Sequence, residues 1–161
     1  PDPVLFGGGH ENERRAGTEN LPAIIGFVEA IERFVSQPVF DRQKISSLSQ
    51  RLSASIQSLE GVKLVSPRMD SLCNTIAFIV DRADSISLLA NLDLEGICAS
   101  SGSACSAGSL EPSHVVSALG VAADQANSLV RFSLGRETTH EEIEIVQSAI
   151  PDVIRRSQRH E

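Results

Sequence analysis

Three places in this 161-residue chain carry residue types that could do chemistry. The first is Cys105, set between Ser103 and Ala104 on one side and Ser106 and Ala107 on the other. These small neighbours supply no core in which a thiol could be buried, so Cys105 reads as reactive rather than inert. A thiol on an exposed loop suits a task in which sulfur is collected at one point and delivered at another. No basic residue flanks it, so the group that deprotonates it must come from elsewhere in the assembled protein. Cys73 and Cys98 lie in strand-like apolar contexts and read as small buried hydrophobes.

The second place is Arg15-Ala16-Gly17-Thr18, directly before a strong helix signal. A Gly-Thr step there offers a hydroxyl and free backbone amides, which can receive a phosphate or simply cap the helix. The triple glycine at 7–9 forms neither a P-loop nor a dinucleotide fingerprint. The third is Arg131, inside the apolar run Val130 to Leu134. A guanidinium in such a strand requires an anionic partner or an open cleft. Either a structural ion pair or a two-pronged grip on a substrate carboxylate would satisfy it.

The elements that must position these residues follow from periodicity. Thr18 or Asn20 can cap a first helix, with Pro22 in its first turn and Ile24, Phe27, Val28, Ile31, Phe34 and Val35 at helical spacing; Pro38 ends it. A second helix is predicted from about Asp41, with Ile45, Leu48, Leu52, Ile56 and Leu59 as its stripe and Gly61 as its left-handed cap. Val62 to Val65 and Thr75 to Val80 read as strands. Asp84 or Ser85 opens a short helix with Ile86, Leu89 and Leu92 inward. Residues 99–112 are predicted to be a mobile loop, after which Ser113 caps a short helix ending at Gly120. Leu129 to Leu134 is strand-like. The last helix begins with a capping box, Thr139 to Glu142, and buries Ile143, Val146, Ile150 and Val153, with a kink or early break expected at Pro151. The fold class is therefore α/β: two layers, helices packed on a small sheet.

Composition narrows the partners. The formal charge is −7, without a dense basic run, which argues against nucleic acid. Arg155, Arg156 and Arg159 suit a solvated face at a helix C-terminus. No apolar run reaches membrane-spanning length and no signal peptide opens the chain. Three widely spaced cysteines without a CxxC pair argue against a disulfide framework or a structural zinc site, and a reducing cytoplasm is the expected location. The opening Pro1-Asp2-Pro3, without an initiator methionine, reads as the start of a fragment.

Taken together, the motifs resemble those of cysteine desulfurases. Gly-Gly-Gly-His-Glu at 7–11 and Arg-Ala-Gly-Thr-Glu-Asn at 15–20 resemble the loop that follows the cofactor domain in that family. Ser-Gly-Ser-Ala-Cys-Ser at 101–106, with Glu-Pro-Ser-His-Val at 111–115, resembles its active-site loop. Arg131-Phe-Ser-Leu-Gly-Arg through Ile143 resembles its last strand and helix. The three appear in the family's order and cover nearly the whole chain.

The resemblance implies the small C-terminal domain of the pyridoxal-phosphate-dependent transferase fold, aminotransferase class V. Residues 1–20 would be the end of the cofactor domain with a dimer-spanning loop, and 21–161 the small domain. It further implies a branch serving iron–sulfur assembly, nitrogen fixation or tRNA thiolation. Cys105 would take sulfur from L-cysteine as a persulfide, leaving L-alanine, and pass it to an acceptor or iron–sulfur scaffold protein, where it could also help hold a nascent cluster. Arg131 would bind the substrate carboxylate. Thr18 would reach the cofactor phosphate of the partner subunit in a homodimer. The chain holds two lysines, Lys44 and Lys63, and neither lies in the family's Ser-x-His-Lys motif, so the residue that holds pyridoxal 5'-phosphate is not in it and the chain alone should not desulfurate cysteine. Within the first loop, Glu13 stands where glycine is common. A stand-alone persulfide carrier and a relative of selenocysteine lyases or class V aminotransferases are the competing readings.

Overall fold

The computed structural model describes residues 2–35, 41–65, 71–101 and 114–158. The chain divides into two compact units, 1–39 and 40–161.

The first unit holds a loop and one helix, α1 (Leu21–Phe34). Asn20 caps it, its side chain accepting from the Ala23 amide at 3.1 Å. Of the two cap candidates it is therefore Asn20 that acts. No residue of α1 is buried, although eight large apolar side chains occupy it and its C-cap.

The second unit is built on an antiparallel sheet, β1 (Val62–Leu64), β2 (Thr75–Val80) and β3 (Val130–Ser133), in that order across the sheet. Three longer helices belong to it: α2 (Arg42–Gln57), α3 (Ser85–Leu94) and α6 (His140–Ser157). The short α4 (His114–Ala118) and α5 (Ala123–Ala126) lie between α3 and β3 in the chain. Alternation along the strands sorts the side chains into two faces. Ile76, Phe78, Val80, Val130 and Phe132 join Ile45, Leu48, Leu52 and Ile56 of α2, Leu88 and Leu92 of α3, and Ile143, Ile150, Val153 and Ile154 of α6 in one core. The Phe78 and Phe132 rings meet there at 5.7 Å. Each such fully buried aliphatic side chain contributes roughly 1.5–3 kcal/mol through removal from water. The opposite face is not bare, as a strict two-layer arrangement would have it. Ile79 packs there with Val116 of α4, Ala126 of α5 and Leu129.

Of the stripe expected on α2, Ile45, Leu48, Leu52 and Ile56 are buried on the helix, whereas Leu59 lies past its end and packs half-buried against the core; Asp41 caps the helix by accepting from the Gln43 and Lys44 amides. Gly61 does adopt the left-handed conformation (φ +71°), but α2 ends at Ser58. Gly61 instead forms the turn into β1, its carbonyl receiving the Asp81 amide at 2.7 Å. On α3 the inward pair is Leu88 and Leu92, while Ile86 is 79% exposed. The i, i+4 pair faces the core, with Leu89 half-buried beside it.

The last helix opens with the expected box. Thr139 accepts from the Glu142 amide at 3.2 Å and Glu142 accepts from the Thr139 amide at 2.9 Å. It then runs through Pro151 to Ser157 without the anticipated break. Pro151 is exposed, and Ile150, Val153 and Ile154 around it are buried. Burial of that face offsets the loss of one backbone hydrogen bond. Ion pairs at the rim join α6 to α2 (Arg51–Glu144, 2.9 Å) and to the end of α3 (Arg156–Glu95, 2.6 Å).

Candidate functional site

Arg131 occupies the second position of β3, paired with Ala77 of β2. Its neighbours Val130 and Phe132 are buried in the main core, so by alternation its side chain belongs to the other face. The residue is half-buried, and its Nε is buried without a hydrogen-bond partner among the described residues. Leaving such a donor unpaired costs roughly 1–3 kcal/mol, more for a charged group. An acceptor for that donor would remove the cost.

The backbone of Arg131 is also engaged on the side of β3 away from β2. Its amide donates to the Ser100 carbonyl at 2.6 Å, and the Ser100 amide donates to the Arg131 carbonyl at 3.1 Å. This isolated antiparallel bridge is the last described pairing before the segment that contains Cys105. The chain reaches it directly from α3. Gly96 turns left-handed (φ +71°), the Ile97 amide returns to the Leu92 carbonyl at 2.9 Å, and Ile97 inserts into the core. Ser100 carried no signal in the sequence, where it is one of several small residues in a row. Cys105 itself, the expected mobile loop beyond Ser101 and the cap at Ser113 lie outside the described residues.

Cys98 is exposed, against the expectation that it would be buried, and Cys73 is half-buried. The reason is alternation: Ile97 points inward, so the next side chain faces outward. Cys98 borders a cleft of about 440 Å³ whose other walls include Ile97, Phe132, Leu134, Glu142 and Val146.

Thr18 belongs to the first unit and is exposed. Arg15 reaches forward so that its Nη1 donates to the Gly17 carbonyl at 3.2 Å and to the Thr18 carbonyl at 3.4 Å, while Gly17 is left-handed (φ +97°). His10 and Glu19 lie 3.3 Å apart across the same loop. The Glu19 carboxyl is held below the ordinary carboxylate range, first by its own backbone amide and then by His10. Glu11, Asn12 and Glu13 all have positive φ, between 53° and 63°. Glu13 thus adopts a conformation in which glycine would be unstrained.

Lys44 is exposed in the first turn of α2, and Lys63 is exposed on β1. Among the described residues no three His, Cys, Asp or Glu side chains gather as a metal site, and no helix is long and apolar enough to cross a membrane.

Comparison with known proteins gives these positions a context. A cysteine desulfurase of Rhodobacter capsulatus is 39% identical over 152 residues, spanning 94% of this chain and 40% of that protein. Cysteine desulfurase NifS of Azotobacter vinelandii is 40% identical over 153 residues, spanning 94% of this chain and 38% of its own length. The chain thus spans about two fifths of the length of these relatives. Among solved structures, a NifS-like protein matches with a TM-score of 0.77 at 27% identity, over 95% of this chain and 39% of that one. A NifS-like protein from Rickettsia africae matches with a TM-score of 0.70 at 29% identity, over 94% of this chain and 39% of that one. The family model described as aminotransferase class-V matches residues 7–146, most of the sequence, and the chain therefore belongs to the aminotransferase class-V family.

Proposed function

We propose that this chain is the sulfur-accepting part of a cysteine desulfurase. Arg131 grips the α-carboxylate of L-cysteine, and Cys105 receives its sulfur. The observation that carries this reading is Arg131 itself, a half-buried arginine whose Nε has no hydrogen-bond partner among the described residues. Its backbone holds Ser100, the start of the run leading to Cys105. The similarity to cysteine desulfurases over 94% of the chain supports it. A bidentate Arg–carboxylate pair would fix the orientation of the amino acid as well as its position.

The transfer balances without an external oxidant. The Cys105 thiolate attacks the substrate sulfur, a sulfur–sulfur bond forms, and the carbon–sulfur bond of the substrate breaks. The bonding pair stays with the carbon, which takes up a proton and ends as L-alanine. Cys105 is left as a persulfide. Pyridoxal phosphate, bound by the complete enzyme, supplies the electron-withdrawing conjugation that lets that carbon hold the pair. Neither Lys44 nor Lys63 lies in a Ser-x-His-Lys motif, so on this reading the cofactor lysine comes from a part of the enzyme outside this chain, and residues 1–20 are the end of that cofactor domain. Thr18 contributes to the cofactor phosphate site of the partner subunit in a homodimer. Delivery then goes to an acceptor or iron–sulfur scaffold protein in a reducing, cytoplasmic setting, with Cys105 as a transient cluster ligand.

The test is sulfide release from L-cysteine with pyridoxal phosphate and a thiol reductant. The chain is assayed alone and together with a cofactor-bearing part taken from a relative, against a Cys105→Ala control. Release should require both the added part and Cys105. Release by the chain alone, or release that survives Cys105→Ala, would overturn the assignment.

A further inference from the structure

The loop that leads to Thr18 is closed at its base by a contact that leaves no room for a larger residue. Gly7 faces Ala16, and a Cβ placed on Gly7 would stand 2.8 Å from the Ala16 Cβ. Beside this contact the Ala16 amide donates to the Leu5 carbonyl at 3.1 Å. Gly7, unlike Gly17, has no positive φ, so space rather than backbone conformation excludes a side chain there. Ala16 is half-buried in a unit whose described residues, Pro3 apart, are all exposed. The closed base is continuous with the Gly17-Thr18 step. Arg15, directly before Ala16, sends its Nη1 to the Gly17 and Thr18 carbonyls at 3.2 and 3.4 Å. We infer that Gly7 is a positioning residue for the cofactor phosphate: by admitting Ala16 at the loop base, it fixes where Thr18 presents its hydroxyl.

The residues around this step fit a phosphate. Thr18 is exposed, and its hydroxyl has no partner among the described residues, so it is free to donate to a phosphate oxygen. The Arg15 guanidinium adds positive charge beside it, while the adjacent carboxylate of Glu19 is engaged with His10 at 3.3 Å. Distance makes the loop base matter. Two carbon atoms in ordinary contact stand about 3.5–4.0 Å apart, so a methyl group on Gly7 would push Ala16 away by roughly 1 Å. A shift of that size, carried through Gly17 to Thr18, exceeds the span of about 2.5–3.0 Å over which a hydroxyl bonds to an oxygen. The inference rests on the proposed function, and on the part of it that assigns Thr18 to the phosphate site of the partner subunit.

The test titrates pyridoxal phosphate into the complete enzyme and reads binding from the absorbance of the bound cofactor. Gly7→Ala should weaken binding about tenfold, the scale of one hydrogen bond to a charged group. Adding Ala16→Gly returns the space and should restore binding to within about twofold, and in a Thr18→Ala background Gly7→Ala should weaken it no further. A second readout needs no cofactor. In this chain alone, hydrogen exchange at the Ala16 amide should be slower than in an unstructured peptide, faster in Gly7→Ala, and slow again in the Gly7→Ala, Ala16→Gly pair. Unchanged binding in Gly7→Ala overturns the inference. So does a loss that Ala16→Gly fails to repair, which would place the effect in the Gly7 backbone. A full further loss in the Thr18→Ala background overturns it too, because the effect would then reach the cofactor by another route. If the unmodified enzyme binds no pyridoxal phosphate, the proposed function fails instead, and exchange at Ala16 that ignores Gly7→Ala would then remove the loop contact as well.

Discussion

Arg131 concentrates the tension of the molecule in one side chain. Its flanking residues stabilise the core, while its own Nε is buried without a partner among the described residues. Arg131→Met keeps the aliphatic stem and removes the orphan donor, so it should raise the stability of this chain by roughly 1 kcal/mol, seen as a higher urea midpoint at unchanged slope. A loss of more than that would mean that the guanidinium is structurally paired, and would weaken its assignment to substrate. Cys98 allows a second check at this scale. In a Cys105→Ala background two thiols remain, Cys73 half-buried and Cys98 exposed. A maleimide should label one equivalent rapidly, and peptide mapping should place it on Cys98. Rapid labelling of Cys73 instead would reverse the two environments.

At the level of elements, α3 makes the sharpest prediction, because two neighbouring aliphatics have opposite fates. Leu88 is 1% exposed and Ile86 is 79% exposed. Leu88→Ala should cost roughly 2–5 kcal/mol by chemical denaturation, and Ile86→Ala less than about 0.5 kcal/mol. Equal costs would mean that the helix is rotated from its described position. This helix also shows where sequence periodicity runs short. Six of its ten residues are Ile, Leu or Ala, so several faces qualify as the apolar one, and only the contacts with α6 and the sheet select Leu88 and Leu92. The stripe on α2 was legible because Ser, Gln, Arg and Lys, with Ala54 alone among the apolar types, fill the positions between its aliphatics. The Thr139–Glu142 box was legible because capping is local. Pro151 misled for the converse reason, since the burial that carries α6 past it comes from residues distant in sequence. Ser100 could not be found from the sequence at all: its contribution is a backbone pairing, indifferent to side-chain type.

For the whole chain, the two units differ in what they bury. Every residue of the main core, and of the smaller cluster on the opposite face, lies between Ile45 and Ile154. Among the described residues the first unit adds no buried hydrophobic side chain, and its helix exposes Leu21, Ile24, Ile25, Phe27, Val28, Ile31 and Phe34, each at 38% or more. An apolar surface of this kind favours association when nothing covers it. The periodicity of α1 was plain in the sequence, but periodicity identifies an apolar stripe without identifying what buries it. The chain spans only about two fifths of its relatives' length. Deleting residues 1–39 should therefore leave the cooperative unfolding of 40–161 intact, with its midpoint shifted by less than the equivalent of about 1 kcal/mol. The same deletion should abolish any concentration-dependent rise in mass that sedimentation detects for the full chain. Loss of cooperative unfolding on deletion would show that α1 stabilises the second unit directly. Association that persists without α1 would move its source to the exposed aliphatics of the second unit, with Ile86, Leu94 and Ile145 the first to replace.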